Sequence, residues 1–124
     1  MKLTEAEWAV MEVLWEGERF ALGEVTEALK ATKGWNKKTV YTYLTRMETK
    51  GMVHIKRDDS MHHEEKPYSA AVTKESCARE ERQELLTKVY GGATGDLIAA
   101  FLKESDISQD EVTRLKKMLD EMEV

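Results

Sequence analysis

The stretch Asn36–Gly51, with the sequence NKKTVYTYLTRMETKG, decides the fold of this chain. Asn36 is a favourable helix N-cap and Gly51 a favourable stop, so the stretch predicts a single helix. Steps of three and four residues predict a buried face made of Val40, Tyr43, Leu44 and Met47. The same spacing places a cation, a phenol and two hydroxyls on the opposite face, namely Lys38, Tyr41, Thr42 and Thr45.

Two further helices are predicted before this stretch, and a hairpin after it. The first helix begins at the capping-box spacing of Thr4 and Glu7, and the second covers Leu22–Lys33. Beyond Gly51 the hydrophobic period becomes that of strands, over Met52–Arg57 and Lys66–Ala70. Three helices followed by a two-stranded hairpin are the element order of a winged helix-turn-helix. The short piece Arg19–Ala21 is a candidate third strand.

The chain becomes helical again after Ala71. Thr73 caps a predicted helix whose first half, residues 74–84, is polar enough to suggest a solvated arm. Two more helices are predicted beyond Gly91, the last of them opened by the capping-box spacing of Ser108 and Glu111. We therefore expect a mainly α protein, with a winged helix-turn-helix domain at residues 1–72 and an α-helical dimerisation domain at residues 73–124.

Composition excludes several classes of protein. The chain has 124 residues, 41% of them hydrophobic and 35% charged, which is typical of a globular domain. Its longest apolar run, Leu97–Leu102, is far shorter than the roughly 20 residues of a membrane span. A lone cysteine, Cys77, cannot form an internal disulfide and favours a reducing compartment. With no export signal visible, we expect a cytoplasmic protein without a membrane partner.

Charge is distributed unevenly along this acidic chain. The net charge is −5, yet residues 30–57 hold eight basic residues and one acidic residue, Glu48. Residues 73–124 hold eight basic and twelve acidic residues. A basic block within an acidic chain can direct one face toward a polyanion while the remainder stays soluble, although a solvated surface would also account for it.

The exposed face of the predicted third helix fits the major groove of duplex DNA. Lysine can donate to guanine, and threonine or tyrosine can contact base edges or a thymine methyl group. Hydroxyls and cations can also bind phosphate. The residues expected to read bases are Lys38, Thr39, Tyr41 and Thr42, and those expected to contact the backbone are Lys37, Thr45, Arg46, Lys56 and Arg57.

Apolar stripes on the short helices after residue 84 must be buried against something, and a second copy of the chain is the simplest cover. Folding back onto the first domain is the alternative. The expected dimerisation residues are Leu85, Leu86, Val89, Tyr90, Leu97, Ile98, Phe101, Leu102, Val112, Leu115, Leu119 and Met122.

Neither catalysis nor a cofactor is indicated by the sequence. It contains no glycine-rich phosphate loop and no motif of a serine hydrolase or zinc protease. His62 and His63 are adjacent in the predicted polar wing, but they lack the spaced ligand pairs of a structural zinc site. We expect no enzyme activity, no cofactor and no metal, with weak metal binding by the histidines as the alternative.

Three groups of residues together resemble the penicillinase-repressor family of BlaI-, MecI- and CopY-type winged-helix transcriptional repressors. They are Leu3–Trp8, Lys38–Arg46 with the following Lys50–Gly51, and Tyr90–Gly92 followed by Leu97 and Phe101. The resemblance implies a homodimeric repressor that binds an inverted-repeat operator in double-stranded DNA, often with TACA and TGTA elements. It places DNA contacts on Lys38, Thr39, Tyr41, Thr42 and Arg46.

The chain departs from the family where the inducing signal acts. In members that respond to β-lactams, a sensor's protease pathway cuts an Asn-Phe bond, and the matching pair here is Ala100–Phe101. Copper-responsive members carry a cysteine-rich C-terminal motif, which this chain lacks. A sensor or protease pathway and a ligand both stay open as inducers.

The sequence thus predicts a transcriptional repressor that binds a palindromic operator as a homodimer through a major-groove recognition helix. A winged-helix module that binds proteins, and a regulator that senses a metal or ligand, are the alternatives.

Overall fold

The computed structural model describes residues 2–57 and 65–122. In that part of the chain the elements are α1 (Glu5–Leu14), α2 (Leu22–Lys33), α3 (Lys37–Thr49), β1 (Val53–Ile55), β2 (Tyr68–Ala70), α4 (Lys74–Tyr90), α5 (Thr94–Glu104) and α6 (Gln109–Glu121). The predicted fold class, mainly helical with a winged helix-turn-helix at the N-terminal end, is confirmed. Most of the predicted polar wing, including His62 and His63, lies outside the described residues.

The helix ends follow the predicted capping chemistry. The Thr4 hydroxyl accepts the Glu7 backbone N–H at 3.2 Å, and the Glu7 carboxylate accepts the Thr4 N–H at 2.9 Å. The Asn36 side-chain oxygen accepts the Thr39 N–H at 2.9 Å and so begins α3. Gly34 ends α2 in the left-handed region, with φ of 64°, which glycine adopts without steric cost.

The chain divides into two compact units, Met1–Glu81 and Arg82–Val124. The core of the first unit draws a residue or more from every element up to the start of α4. Its buried apolar members are Leu3, Val10, Met11, Leu14, Val25, Leu29, Val40, Leu44, Met47, Met52, Val53, Tyr68 and Cys77. The division falls within α4, whereas the sequence placed the boundary of the DNA-binding domain after residue 72, and that functional boundary stays a prediction.

The first turn of α4 is part of this first unit. Cys77 is buried in the core, and the indole N–H of Trp15 donates to the Val72 carbonyl at 2.9 Å. Lys74 pairs with Glu12 of α1 at 3.1 Å. The expectation of a solvated arm over residues 74–84 was therefore wrong at Cys77, because that one inward side chain packs the start of α4 against the core.

The sheet is a short antiparallel hairpin. Val53 pairs with Ala70, His54 with Ser69, and Ile55 with Tyr68. Both strands are shorter than predicted. The candidate third strand reduces to one bridge, in which Phe20 and Tyr68 exchange backbone hydrogen bonds at 2.8 and 3.0 Å.

The second unit consists of the remainder of α4 with α5 and α6. Gly91 and Gly92 end α4 with φ of 54° and 87°, and the Ser108 hydroxyl caps α6 by accepting the Glu111 N–H at 3.2 Å. Across residues 82–122, no side chain is buried. An apolar hollow of about 280 Å³ lies between α5 and α6, lined by Leu102, Ile107, Val112, Leu115, Lys116 and Leu119.

Within the described ranges, no helix has the length and apolar character needed to cross a bilayer.

Candidate nucleic-acid interface

Helix α3 presents two chemically distinct faces. Val40, Leu44 and Met47 are fully buried, so they fix the rotation of the helix about its axis. On the opposite side Lys38 is exposed and Tyr41 is 52% exposed, an unusual exposure for a large aromatic residue. The predicted inward face is therefore confirmed for these three residues and the outward face for Lys38 and Tyr41, whereas Thr42, Tyr43 and Thr45 are half-buried.

The threonine hydroxyls of the outward face are already engaged as donors. Thr42 donates to the Lys38 carbonyl at 3.0 Å, and Thr45 donates to the Tyr41 carbonyl at 2.5 Å. A hydroxyl whose O–H already donates a hydrogen bond to a backbone carbonyl still has lone pairs that can accept one. These side chains can thus accept from a donor, such as an exocyclic amino group, or place a methyl group against an apolar surface.

The start of α3 is held by an aromatic stack. The rings of Trp35 and Tyr43 have centroids 4.6 Å apart and lie within 17° of parallel, and both side chains pack against the core. Lys33 lies 6.0 Å above the Trp35 ring. Trp35 therefore covers the entrance to this helix.

The end of α3 is held by an ion pair with a buried carboxylate. The ammonium group of Lys50, the C-cap residue, lies 2.8 Å from Glu7 Oε2. The Glu7 side chain is 5% exposed and that of Lys50 is 47% exposed. Burial disfavours ionisation of Glu7, but the hydrogen bonds from Lys50 and from the Thr4 N–H outweigh it and leave the pKa of Glu7 below its usual value.

The hairpin contributes two cations beside α3. Lys56 and Arg57 follow β1, and both are exposed. Arg57 forms a two-pronged pair with Glu48, whose distances from the Arg57 terminal nitrogens to the two carboxylate oxygens are 2.5 and 3.0 Å. The hydrogen bond from Arg57 lowers the pKa of the Glu48 carboxyl group. This pair joins the last turn of α3 to the end of β1.

The remaining predicted DNA contacts lie on or beside α3. Lys37 occupies its first position and is exposed, Thr39 in the first turn is half-buried, and Arg46 in the last turn is exposed. Their roles in binding stay predictions.

The predicted dimerisation residues form apolar surface on the second unit. Eight of the twelve are exposed: Leu85, Val89, Ile98, Phe101, Leu102, Leu115, Leu119 and Met122. The other four, Leu86, Tyr90, Leu97 and Val112, are half-buried. Their contact with a second copy stays a prediction.

No cluster of three or more histidine, cysteine or acidic side chains with metal-binding geometry occurs within residues 2–57 and 65–122. His62 and His63 fall outside those ranges, so the expectation of no metal stays a prediction.

Two ion pairs at this surface were missed by the sequence reasoning. Glu7 was recognised as a capping residue but not as the partner of Lys50, 43 residues away, and Glu48 was counted only as a charge. No local spacing indicates either pair. The lone acidic residue within the basic block was the available signal for the second.

Known proteins resemble this chain over nearly its whole length. A family model described as the penicillinase repressor matches residues 3–121. The methicillin resistance regulatory protein MecI of Staphylococcus aureus is 28% identical over 118 residues, covering 95% of this chain and 93% of that protein. A penicillinase repressor of Bacillus licheniformis is 26% identical over 123 residues, covering 97% and 91%.

A solved structure also matches this fold. The monomeric form of Bacillus licheniformis BlaI, in complex with the blaP half-operator, superposes with a TM-score of 0.50 at 26% identity. The match covers 60% of this chain and 85% of that one. With its winged-helix order, its outward-facing α3 and a family match over residues 3–121, the chain belongs to the penicillinase repressor family.

Proposed function

We propose that this protein is a cytoplasmic transcriptional repressor that binds an inverted-repeat operator in double-stranded DNA as a homodimer. The observation that carries the proposal is the outward face of α3, where exposed Lys38 and Tyr41 stand on a helix whose opposite face is fully buried. A helix of this kind, about 10–12 Å across, fits the major groove. The BlaI structure in complex with a half-operator supports the same use of the fold.

The chemistry of the α3 surface divides into base reading and phosphate contact. Lys38 can donate to guanine, and the Tyr41 ring can pack on a thymine methyl group. Thr42 accepts rather than donates in this conformation, which favours adenine or cytosine amino groups or a methyl contact. Thr39 lies one turn away at the start of the helix and completes the base-reading set.

Phosphate contacts fall to the residues around this set. Cations neutralise phosphates and release counterions, which gives affinity without sequence information. The residues we assign to the backbone are Lys37, Thr45, Arg46, Lys56 and Arg57.

A second copy of the chain supplies the symmetry that a palindromic operator needs. The apolar side chains of residues 82–122 include Val89, Phe101 and Leu119, each more than half exposed. A twofold dimer through this surface would bury them and set two α3 helices about 34–36 Å apart, one DNA turn. We assign residues 1–72 to DNA binding and residues 73–124 to dimerisation.

Relatives named as repressors and regulatory proteins, rather than as enzymes, support regulation by occupancy of DNA. Under this proposal the chain carries out no reaction and needs no cofactor. Occupancy of a promoter by the bound repressor is sufficient to block transcription.

Selection of binding sites from random duplex DNA tests the proposal. We expect enrichment of an inverted repeat with half-sites one helical turn apart, and loss of that enrichment in Lys38→Glu. Lys103→Glu, an exposed change of equal charge on α5, is the matched control and should retain it. Enrichment of no sequence by the wild-type chain would refute DNA reading and favour a winged-helix module that binds proteins.

A further inference from the structure

The pair between Glu48 and Arg57 lies within the proposed DNA-binding surface. Arg57 was assigned to phosphate contact from its sequence position, yet both of its terminal nitrogens already donate hydrogen bonds to the Glu48 carboxylate. The Arg57 side chain is 63% exposed and that of Glu48 is 29% exposed. The cation expected to contact a DNA phosphate is therefore already paired with a carboxylate in the free protein.

Glu48 is poorly placed for helix stability. It lies in the last turn of α3, where the helix dipole disfavours a negative charge. It is also the one acidic residue among residues 30–57, so its charge opposes eight basic residues. A general helix-stabilising role does not account for a glutamate here.

The position of Glu48 relative to the base-reading face is more informative. Glu48 follows Tyr41 by seven residues, which is nearly two complete turns, so both lie on the same side of α3. The ion pair thus lies at the end of the base-reading stripe, between recognition helix and wing.

We propose that Glu48 is a specificity-determining residue, which neutralises Arg57 at the DNA-facing surface and so limits binding to DNA of any sequence. The inference rests on the proposed function. Because the pair carries no net charge, it releases no counterion when it meets phosphate. Three N–H groups of Arg57 remain for hydrogen bonds, so the pair gives geometry without adding affinity for every duplex.

Neutralising each partner separately should change non-specific binding in opposite directions. Glu48→Gln keeps an oxygen for Arg57 but frees its charge, so it should tighten binding to a mixed-sequence 30-base-pair duplex roughly 3- to 8-fold near 0.1 M salt. The plot of log affinity against log salt should steepen by about 0.9. Arg57→Gln leaves Glu48 unopposed and should weaken binding and flatten the slope by about the same amount.

The double variant distinguishes this proposal from the alternative in which Glu48 positions Arg57 for phosphate binding. Glu48→Gln with Arg57→Gln restores a neutral pair, so its salt slope should equal that of the wild type. For Glu48→Gln, affinity for the duplex recovered by selection should rise less than affinity for the mixed duplex, so discrimination should fall. Glu16→Gln makes the same charge change just after α1, beside an apolar groove that α1 and α2 form, and should alter neither slope nor discrimination.

The measurement is fluorescence anisotropy of labelled duplexes between 50 and 300 mM NaCl, about the range over which such slopes are linear. An unchanged slope in Glu48→Gln, or a double variant as weak as Arg57→Gln, would overturn the proposal and make Glu48 a support for a phosphate-binding arginine. If the wild type itself binds neither duplex, the proposed function fails. If it binds both and the slopes do not separate, only this inference fails.

Discussion

Replacing Lys50 with methionine should destabilise the first unit in a way that depends on pH. The substitution keeps the length and the apolar stem of the side chain but removes the ammonium group that lies 2.8 Å from Glu7. Glu7 then remains as a buried carboxylate that keeps its capping contacts with Thr4. The cost arises from the unpaired charge rather than from a lost volume.

The burial of the two partners sets the size of the effect. Removing one partner of a fully buried pair costs about 3–5 kcal/mol, and exposed pairs contribute about 0.2–1 kcal/mol. The Glu7 side chain is 5% exposed, but that of Lys50 is 47% exposed. Water can therefore reach the Glu7 carboxylate where the ammonium group is removed. We therefore expect Lys50→Met to lower the free energy of unfolding by about 1–2 kcal/mol at pH 7.

Protonation of Glu7 gives the pH dependence its sign. In the wild type the folded pKa of Glu7 is lowered, so its contribution is present above the unfolded pKa of about 4.3 and is lost as pH falls through the folded pKa. Without Lys50 that lowering is reduced while the burial remains. The difference in stability between wild type and Lys50→Met should thus be greatest above about pH 5.5 and shrink toward pH 4.

Urea unfolding followed by tryptophan fluorescence measures this difference, because all three tryptophans lie in the first unit. Lys74→Met is the matched control, since Lys74 also pairs with a glutamate of α1, Glu12, but both side chains are exposed. It should cost less than about 0.5 kcal/mol with little pH dependence. Equal losses in the two variants, or a Lys50→Met deficit that stays constant from pH 7 to pH 4, would show that Glu7 is not a buried charge in need of its partner.

Four further changes probe the core, the interface and the assembly. Leu44→Ala removes a fully buried side chain from the inner face of α3 and should cost about 2–5 kcal/mol in urea unfolding, whereas a loss below 1 would contradict close packing there. Tyr41→Ala should weaken anisotropy-measured binding to the selected duplex by about 1–3 kcal/mol while sparing a mixed duplex. Arg46→Ala should instead weaken binding to both the selected and the mixed duplex, and should flatten the plot of log affinity against log salt by about one. If Tyr41→Ala and Arg46→Ala change the two affinities and the salt slope identically, the division into base reader and phosphate contact is refuted. Leu119→Glu places a charge on the apolar face of α6 and should shift sedimentation equilibrium from dimer to monomer at micromolar concentration, so an unaffected dimer would exclude that face as the contact.

Local signals were enough to predict the elements of the first unit. The predicted bounds of α2 agree with the structure at both ends, and its C-terminal end follows from Gly34, which takes positive φ. The start of α3 follows from the Asn36 side chain, which accepts a backbone N–H that would otherwise lack a partner. Helical spacing also assigned the correct face of α3 to the core.

Contacts between distant residues could not be predicted in the same way. The partners in the Glu7–Lys50 pair and in the Trp15–Val72 hydrogen bond are 43 and 57 residues apart. Such pairings depend on how helices pack and not on any spacing within one helix. The strands were also predicted too long. The Lys56 N–H still donates to the Pro67 carbonyl at 2.8 Å, but the ladder of paired residues ends at Ile55 and Tyr68.

The two ends of α3 explain why the proposed reading surface can be specific. Its start is fixed by the Trp35–Tyr43 stack and its end by Lys50 on the buried Glu7 carboxylate. Side chains carried by a helix fixed in this way lose little backbone freedom on binding, which reduces the entropic cost of recognition. If Lys50→Met leaves the core folded yet loosens the end of α3, discrimination between selected and mixed duplexes should fall more than affinity for the mixed duplex. Base contacts depend on the placement of the helix, whereas phosphate contacts depend mainly on charge.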